Sequence, residues 1–196
     1  PLFTTVYRLT VSQNGCVRTD EVTVFVNVNL NPIANAGNPL DICSGVVTTI
    51  GGNPTGTPPP GAPNTPLGYI WSPATGLNSI TVSNPTLTLN NTGSYTYQVI
   101  VIALATGCTD TATVTHTVVP KPTIQTTTTE ICAGFTLEVN STPSGGTPGY
   151  TYVWSGPGGY SATTQNVSRA NATPAMSGLY SVTVTDSKGC VANSSV

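Results

Sequence analysis

The segment YIWS at residues 69–72 recurs as YVWS at residues 152–155, and this repeated tryptophan motif gives the strongest indication of the fold. N-terminal to each copy stands a second motif, ICSG at residues 42–45 and ICAG at residues 131–134. A Gly-Cys pair follows a Val- and Thr-rich strand three times, at Cys16, Cys108 and Cys190. Equivalent motifs lie about 82–92 residues apart, the length of one small β-sandwich, so the chain is predicted to be part of a tandem array.

Hydrophobic alternation predicts strands along the chain and no helix. In residues 109–119, Ala112, Val114, His116 and Val118 alternate with threonines, which is the period-two pattern of a half-buried strand. Further strands are predicted at residues 6–11, 21–28, 46–50, 68–71, 86–89, 95–104, 137–139, 151–154 and 179–185. The predicted fold class is therefore all-β.

The repeated motifs divide the chain into three predicted domains, called here the first, second and third repeats. Residues 1–29 are interpreted as the C-terminal strands of a truncated sandwich, residues 30–120 as a complete sandwich, and residues 121–196 as a sandwich truncated at its last strand. The segment VPKPT at residues 119–123 contains two prolines, so it is predicted to be a short, semi-rigid linker.

The charge composition excludes several classes of partner. Only 6% of the residues are charged, against roughly 25% in ordinary globular proteins, and the net charge is −2. Five lysines and arginines cannot build a surface that neutralises many phosphates, so nucleic-acid binding is not expected. No apolar run reaches the roughly 18 residues of a membrane span, so membrane insertion is not expected.

The five cysteines are expected to form disulfides, one within each sandwich. Zinc is disfavoured because the chain has no Cys-x-x-Cys pair and no Cys/His cluster. The repeat suggests a pairing rule, in which the ICxG cysteine bonds the Gly-Cys cysteine of the same repeat. The rule predicts the bonds Cys43–Cys108 and Cys132–Cys190, and it assigns Cys16 a partner upstream of Pro1. Disulfides imply an oxidising compartment outside the cytoplasm.

Several segments resemble a known family. In the third repeat, GTPGYTYVWS (146–155), ATTQNVS (162–168) and GLYSVTVTDSKGC (178–190) resemble the repeats of SprB-type gliding-motility adhesins of Bacteroidota. PIANAG (32–37) and IWSPATGL (70–77) in the second repeat resemble the PKD-like repeats found beside them. The resemblance implies tandem immunoglobulin-like (PKD-like) sandwiches in very large surface proteins that the type IX secretion system exports.

Two groups of aromatic residues are candidates for different roles. Trp71 and Trp154 occupy the kind of strand that carries the core tryptophan of immunoglobulin sandwiches, so they are predicted to be core residues. Tyr69, Tyr150 and Tyr160 are the candidates for stacking on a glycan, or alternatively they cover the edges of the core. The loops at residues 57–66 and 169–177 differ between repeats and are interpreted as binding loops or as tolerated insertions.

Other side chains offer few candidates for chemistry. Thr111, in an Asp-Thr-Ala triplet, resembles the O-glycosylation signal of the same bacterial phylum, and the alternative is an ordinary outward-facing strand threonine. His116 lacks a Cys, His or carboxylate cluster around it, so it is predicted to be a packed residue and no catalytic set is predicted. Related sandwiches often bind calcium at domain junctions, but no D-x-D-x-D spacing occurs, so no cofactor is predicted and calcium is only an alternative.

These observations predict a structural protein without enzymatic activity. The leading interpretation is a stalk segment of a large secreted adhesin at the outer membrane of a bacterium, which extends a tip domain for gliding motility or surface attachment. Its partners would be neighbouring repeats, surface polysaccharide or laterally associated copies. The alternatives are a carbohydrate-binding or spacer module of a secreted polysaccharide-degrading enzyme, and a subunit of an extracellular filament assembled by strand addition.

Overall fold

A computed structural model describes residues 4–25 and 30–196, in which β-strands alternate with loops and two 3₁₀-helices. In chain order the strands are β1 (Thr5–Gln13), β2 (Cys16–Val24), β3 (Ile33–Ala34), β4 (Asp41–Cys43), β5 (Thr48–Thr49), β6 (Gly56–Thr57), β7 (Leu67–Ser72), β8 (Thr86–Leu87), β9 (Gly93–Ala103), β10 (Thr109–Val119), β11 (Pro122–Thr128), β12 (Leu137–Gly145), β13 (Thr151–Gly156), β14 (Tyr160–Ala162), β15 (Val167–Arg169), β16 (Ser181–Thr185) and β17 (Val191–Ser195). The 3₁₀-helices are Pro157–Gly159 and Pro174–Met176.

Contacts between Cα atoms divide the chain into two compact units. The first unit comprises Pro1–Asn38, Thr49–Leu87 and Thr96–Val114, and the second comprises Pro39–Thr48, Thr88–Tyr95 and Thr115–Val196. The sheets have the orders β1-β2, β4-β10-β9-β7, β11-β12-β15 and β14-β13-β16-β17, with the short pairs β3-β6 and β5-β8. The all-β prediction is confirmed.

The N-terminal hairpin, formed by β1 and β2, follows from its turn sequence. Asn14 and Gly15 both have positive φ values, 50° and 82°, as the two-residue type I′ turn of a tight hairpin requires. The register places Thr5 opposite Val24 and Gln13 opposite Cys16. Strand β2 begins earlier than the predicted 21–28 strand, and residues 26–28 of that prediction lie outside the described residues.

The long strand β10 matches its predicted bounds, residues 109–119. Val114, His116 and Val118 are buried and the threonines between them are exposed, so the alternation in the sequence is the alternation of the two faces. At its C-terminal end β10 pairs in parallel with the short strand β4, with Thr117 opposite Asp41 and Val119 opposite Cys43. The sequence did not predict this parallel pair.

The third repeat is a sandwich of two sheets, β11-β12-β15 and β14-β13-β16-β17. Its core is a cluster of side chains that are at most 3% exposed: Val139, Trp154, Val167, Tyr180 and Val182. Strand β11 occupies part of the predicted linker 119–123, because proline is tolerated as the first residue of a strand. The connection between β10 and β11 is therefore only Pro120 and Lys121, shorter than predicted.

The repeated tryptophans are core residues, as predicted. Trp71 and Trp154 are 1% and 0% exposed. Each indole N–H donates to a backbone carbonyl farther along the chain, Trp71 to Val82 at 3.1 Å and Trp154 to Thr164 at 3.0 Å. The second and third repeats thus provide the indole N–H of their buried tryptophan with the same kind of hydrogen-bond acceptor.

The same tyrosine contact occurs within the second repeat and within the third. The Tyr95 hydroxyl donates to the carbonyl of Asn91 at 3.0 Å, and the Tyr180 hydroxyl donates to that of Met176 at 3.1 Å. Both contacts span four residues, in the manner of the tyrosine corner of immunoglobulin sandwiches. Each tyrosine stands two residues after a glycine whose φ is positive, near 145°.

Candidate functional site

The chemically distinctive site is a disulfide between the second and third repeats. Cys43, the last residue of β4, is bonded to Cys190, in the turn between β16 and β17. Their Cα atoms are 5.6 Å apart although 147 positions separate them in the sequence. Cys16, Cys108 and Cys132 have free thiols. The predicted bonds Cys43–Cys108 and Cys132–Cys190 are therefore wrong.

The length of β10 explains why Cys43 does not bond Cys108. Cys43 lies opposite Val119 at the C-terminal end of β10, whereas Cys108 directly precedes the first residue of that strand. Eleven residues of strand at about 3.3 Å each separate the two ends by roughly 35 Å. A disulfide requires Cα atoms within about 7 Å.

The third repeat separates its two cysteines in the same way. The turn that carries Cys190 lies beside the segment that follows β12, where Asp186 accepts a hydrogen bond from the Thr147 N–H at 2.9 Å. Strand β12 ends nearby, with Gly145 opposite Pro122, the first residue of β11. Cys132 follows the far end of β11, which is seven residues long and hence spans about 23 Å.

Each repeat therefore has two chemically distinct ends. We call the end where β11 starts the entry end of the third repeat, and the end where β17 finishes its exit end. The Gly-Cys cysteine lies at the entry end and the ICxG cysteine at the exit end. In the second repeat, likewise, Cys43 lies where β10 ends, so the observed bond joins one exit end to the next entry end.

An ion pair accompanies the disulfide. The Lys188 ammonium contacts the Asp41 carboxylate at 2.7 Å, and both side chains are partly exposed. The hydrogen bond from this ammonium to Asp41, together with the carboxylate charge, raises the pKa of Lys188. Asp41 and Lys188 each stand two positions before a bonded cysteine, so the charges orient the same two segments that the disulfide joins.

Asp186 holds the turn in shape. Burial would raise the pKa of this carboxyl, but hydrogen bonds from the backbone N–H groups of Thr147, Cys190 and Lys188 outweigh burial and lower the pKa. These three bonds are each 2.9 Å long. The ionised carboxylate therefore ties the Cys190 turn to the entry end of the third repeat.

The glycan-contact candidates do not form one platform. Tyr150 and Tyr160 are half-buried and flank opposite ends of β13, and the Tyr150 hydroxyl donates to the carbonyl of Gly145. The guanidinium of Arg169 lies 4.4 Å from the centroid of the Tyr160 ring, so that ring face is occupied by a cation–π contact. Tyr69 is half-buried on β7, in the other compact unit.

Thr111 is exposed on β10, so its hydroxyl is accessible to a modifying enzyme. The neighbouring Asp110 carboxylate accepts a hydrogen bond from the Ala34 N–H at 2.8 Å and so has a structural role. Glycosylation of Thr111 stays a prediction.

His116 is a packed residue, 1% exposed, and burial lowers its pKa. Within residues 4–25 and 30–196, no group of three His, Cys, Asp or Glu side chains is arranged to hold a metal ion. No helix in this part of the chain has the length and apolar character needed to span a membrane.

The exit end of the third repeat contains an open cleft of about 470 Å³. Its lining includes Glu130, Ile131, Leu137, Ala172, Tyr180 and Val196. Ile131 and Ala133, the residues on either side of Cys132, both line this cleft, and Ile131 is 37% exposed.

The N-terminal hairpin also has an uncovered apolar face. The register places five apolar side chains on one face, together with Asp20 opposite Leu9 and Arg18 opposite Val11. The five are all 37–65% exposed: Tyr7, Leu9, Val11, Val22 and Val24. In the third repeat, the corresponding residues before the Gly-Cys cysteine are buried: Tyr180, Val182 and Val184. The hairpin thus carries the apolar residues of a sandwich strand, but among the described residues they are exposed instead of buried.

Solved structures show what this architecture is similar to. An eight-domain N-terminal fragment of the Down syndrome cell adhesion molecule matches 98% of the chain with a TM-score of 0.50 at 9% identity. The fold is immunoglobulin-like. The chain spans 30% of the length of that fragment.

Two further immunoglobulin-domain structures match with TM-scores below 0.5. Extracellular domains 3–5 of Drosophila OTK match 98% of the chain, and the chain covers 70% of them, with 13% identity and a TM-score of 0.46. The amphioxus IgVJ-C2 molecule matches 80% of the chain, which covers 98% of it, with 17% identity and a TM-score of 0.38. No protein-family model matches the sequence, and no curated protein matches it significantly.

Proposed function

We propose that this chain is a stalk segment of a large, secreted cell-surface adhesin. The observation that carries the proposal is the Cys43–Cys190 bond, which joins two successive immunoglobulin-like repeats covalently. A two-residue connection and the Asp41–Lys188 ion pair restrict motion at the same junction. Covalent and ionic links between successive repeats are what a segment needs to hold a distant domain under load.

The cellular setting follows from the disulfide and from the sequence resemblance. A disulfide persists in oxidising surroundings, which supports an extracellular location. One structural neighbour is named as a cell adhesion molecule, which is compatible with an adhesion-type module. The resemblance to SprB-type and PKD-like repeats favours the surface of a gliding bacterium, export by type IX secretion and attachment to the outer membrane.

A stalk and a glycan-binding module make different predictions for the isolated chain. We expect the purified 196-residue chain to bind no polysaccharide on a glycan array. In the cell, deleting it from the parent adhesin should reduce attachment while the protein remains at the surface. Glycan binding that is lost in Tyr160→Ala but kept in Tyr95→Ala would contradict the stalk and support a carbohydrate-binding module.

A filament subunit is the second candidate, favoured by the exposed apolar face of the N-terminal hairpin. A neighbouring subunit could cover this face by adding strands, as in donor-strand polymers. Sedimentation of the purified chain tests it: concentration-dependent polymers that disappear in Leu9→Lys would favour a filament, whereas a monomer favours the stalk.

A further inference from the structure

The bonded and free cysteines obey one spatial rule. Cys43 at the exit end of the second repeat bonds Cys190 at the entry end of the third. Cys132 is the exit-end cysteine of the third repeat, and Cys108 is the entry-end cysteine of the second. Within one repeat the ICxG cysteine and the Gly-Cys cysteine are too far apart to bond, because β10 and β11 separate the two ends by roughly 35 and 23 Å.

Burial distinguishes the bonded ends from the free ones. Ile42, beside the bonded Cys43, is 2% exposed, whereas Ile131, beside the free Cys132, is 37% exposed. Cys190 is fully buried, but Cys108 is half-buried and Cys16 is exposed. The free cysteines therefore lie at surfaces that the equivalent bonded positions cover.

Charge identifies the kind of partner that fits Cys132. Glu130 stands two positions before Cys132, as Asp41 stands two positions before Cys43. Asp41 binds Lys188, which stands two positions before the cysteine of the partner turn. The partner turn that fits Cys132 is therefore one of the Cys190 kind, with a basic residue two positions before its cysteine, unlike the turns of Cys108 and Cys16, which carry Thr106 and Asn14 there.

We propose that Cys132 and Cys108 are sites of head-to-tail disulfides to neighbouring repeats of the same polypeptide. Cys132 bonds the Gly-Cys turn of the repeat that follows, and Cys108 bonds the ICxG cysteine of the repeat that precedes the second. Cys16 occupies the same position as Cys108 and bonds a repeat farther upstream. The inference rests on the proposed function, since a stalk of tandem repeats supplies these partners.

Each bond is an oxidation with a defined acceptor. The two cysteine thiols lose two protons and two electrons and form one S–S bond. An oxidised thiol–disulfide oxidoreductase of the secretory compartment accepts them, and its own disulfide becomes two thiols. The exchange passes through a mixed disulfide with the more exposed cysteine.

Non-reducing peptide mapping of the native protein tests the proposal. Free thiols are blocked with N-ethylmaleimide before digestion, and linked peptides are identified by mass spectrometry. We expect the Cys43–Cys190 peptide, together with a Cys132 peptide bonded to a [Lys/Arg]-Gly-Cys turn of the next repeat. Blocked Cys132, a bond within one repeat, or a bond between two copies of the polypeptide would each overturn it.

Charge reversal gives a second readout that needs no cysteine variant. During reoxidation of the reduced native protein, Glu130→Lys should slow disulfide formation at Cys132 about two- to five-fold. The effect is modest because an exposed ion pair contributes little free energy. Glu138→Lys, an exposed carboxylate on β12, is the matched control and should leave the rate unchanged. Equal rates in both variants would contradict the assigned partner.

The two proposals fail in distinguishable ways. A native polypeptide with no further repeats removes the stalk and the head-to-tail bonds together. A long repeat array with blocked or intra-repeat cysteines removes only the disulfide proposal and leaves the stalk intact.

Discussion

At the scale of single residues, the buried histidine makes stability depend on pH. The pKa of His116 is lower in the folded protein than its ordinary value of 6.5, so the folded chain binds fewer protons than the unfolded chain. The free energy of unfolding should therefore be constant above about pH 6.5 and fall as the pH drops below it.

Urea unfolding between pH 7.5 and 5 measures this effect. His116→Gln should remove the decrease, whereas Thr113→Gln, an exposed position on the other face of β10, should keep it. A His116→Gln profile identical to that of the parent chain would show that the histidine is not responsible.

Gly146 makes a second residue-scale prediction, because it lies where the Cys190 turn meets the start of the third repeat. Its φ is +64°, and an added Cβ would lie 2.7 Å from Asp186 Oδ2 and 2.8 Å from the Pro122 nitrogen. Gly158 has a similar φ of +71° but no atom within 4 Å of such a Cβ. Gly146→Ala should thus lower the free energy of unfolding by about 1–3 kcal/mol more than Gly158→Ala does.

Denaturant titration of the two variants measures the difference directly. Equal destabilisation would mean that backbone strain alone matters and that the turn does not pack tightly on Gly146.

At the scale of elements, local pattern predicted the strands well where side chains alternate. β10 has its predicted bounds because threonines at residues 113, 115 and 117 alternate with the buried Val114, His116 and Val118. The predicted linker 119–123 covered the start of β11 because Pro122 hides the beginning of that strand. No strand was predicted at β4, because a three-residue parallel strand has no pattern of its own. The tyrosine corner was missed although the Gly-x-Tyr triplets at residues 93–95 and 178–180 signal it.

The wrong cysteine pairing has a different cause. In a tandem array, an ICxG motif is related by the same repeat symmetry to the Gly-Cys turn of its own repeat and to that of the next. Sequence spacing cannot distinguish these two partners, since both recur at the repeat length. Only the lengths of β10 and β11, which place the motifs at opposite ends of a repeat, decide between them.

At the scale of the whole molecule, the Cys43–Cys190 bond closes a loop of 147 positions across two repeats. In the chain-entropy model such a closure stabilises the folded state by about 5 kcal/mol. More important for a stalk, it prevents the enclosed residues from extending when the chain is pulled at its ends. This mechanical shielding is how the segment would hold a distant domain under load.

Single-molecule stretching of the 196-residue chain, tethered at both termini with and without a reductant, measures this shielding. The Cys43–Cys190 bond predicts one reductant-dependent gain in extension of about 500 Å, the length of 147 extended residues. Bonds within each repeat would instead give two gains of about 230 and 200 Å. Two such steps, or an extension that reductant does not change, would show that the disulfide does not shield residues 43–190 from force.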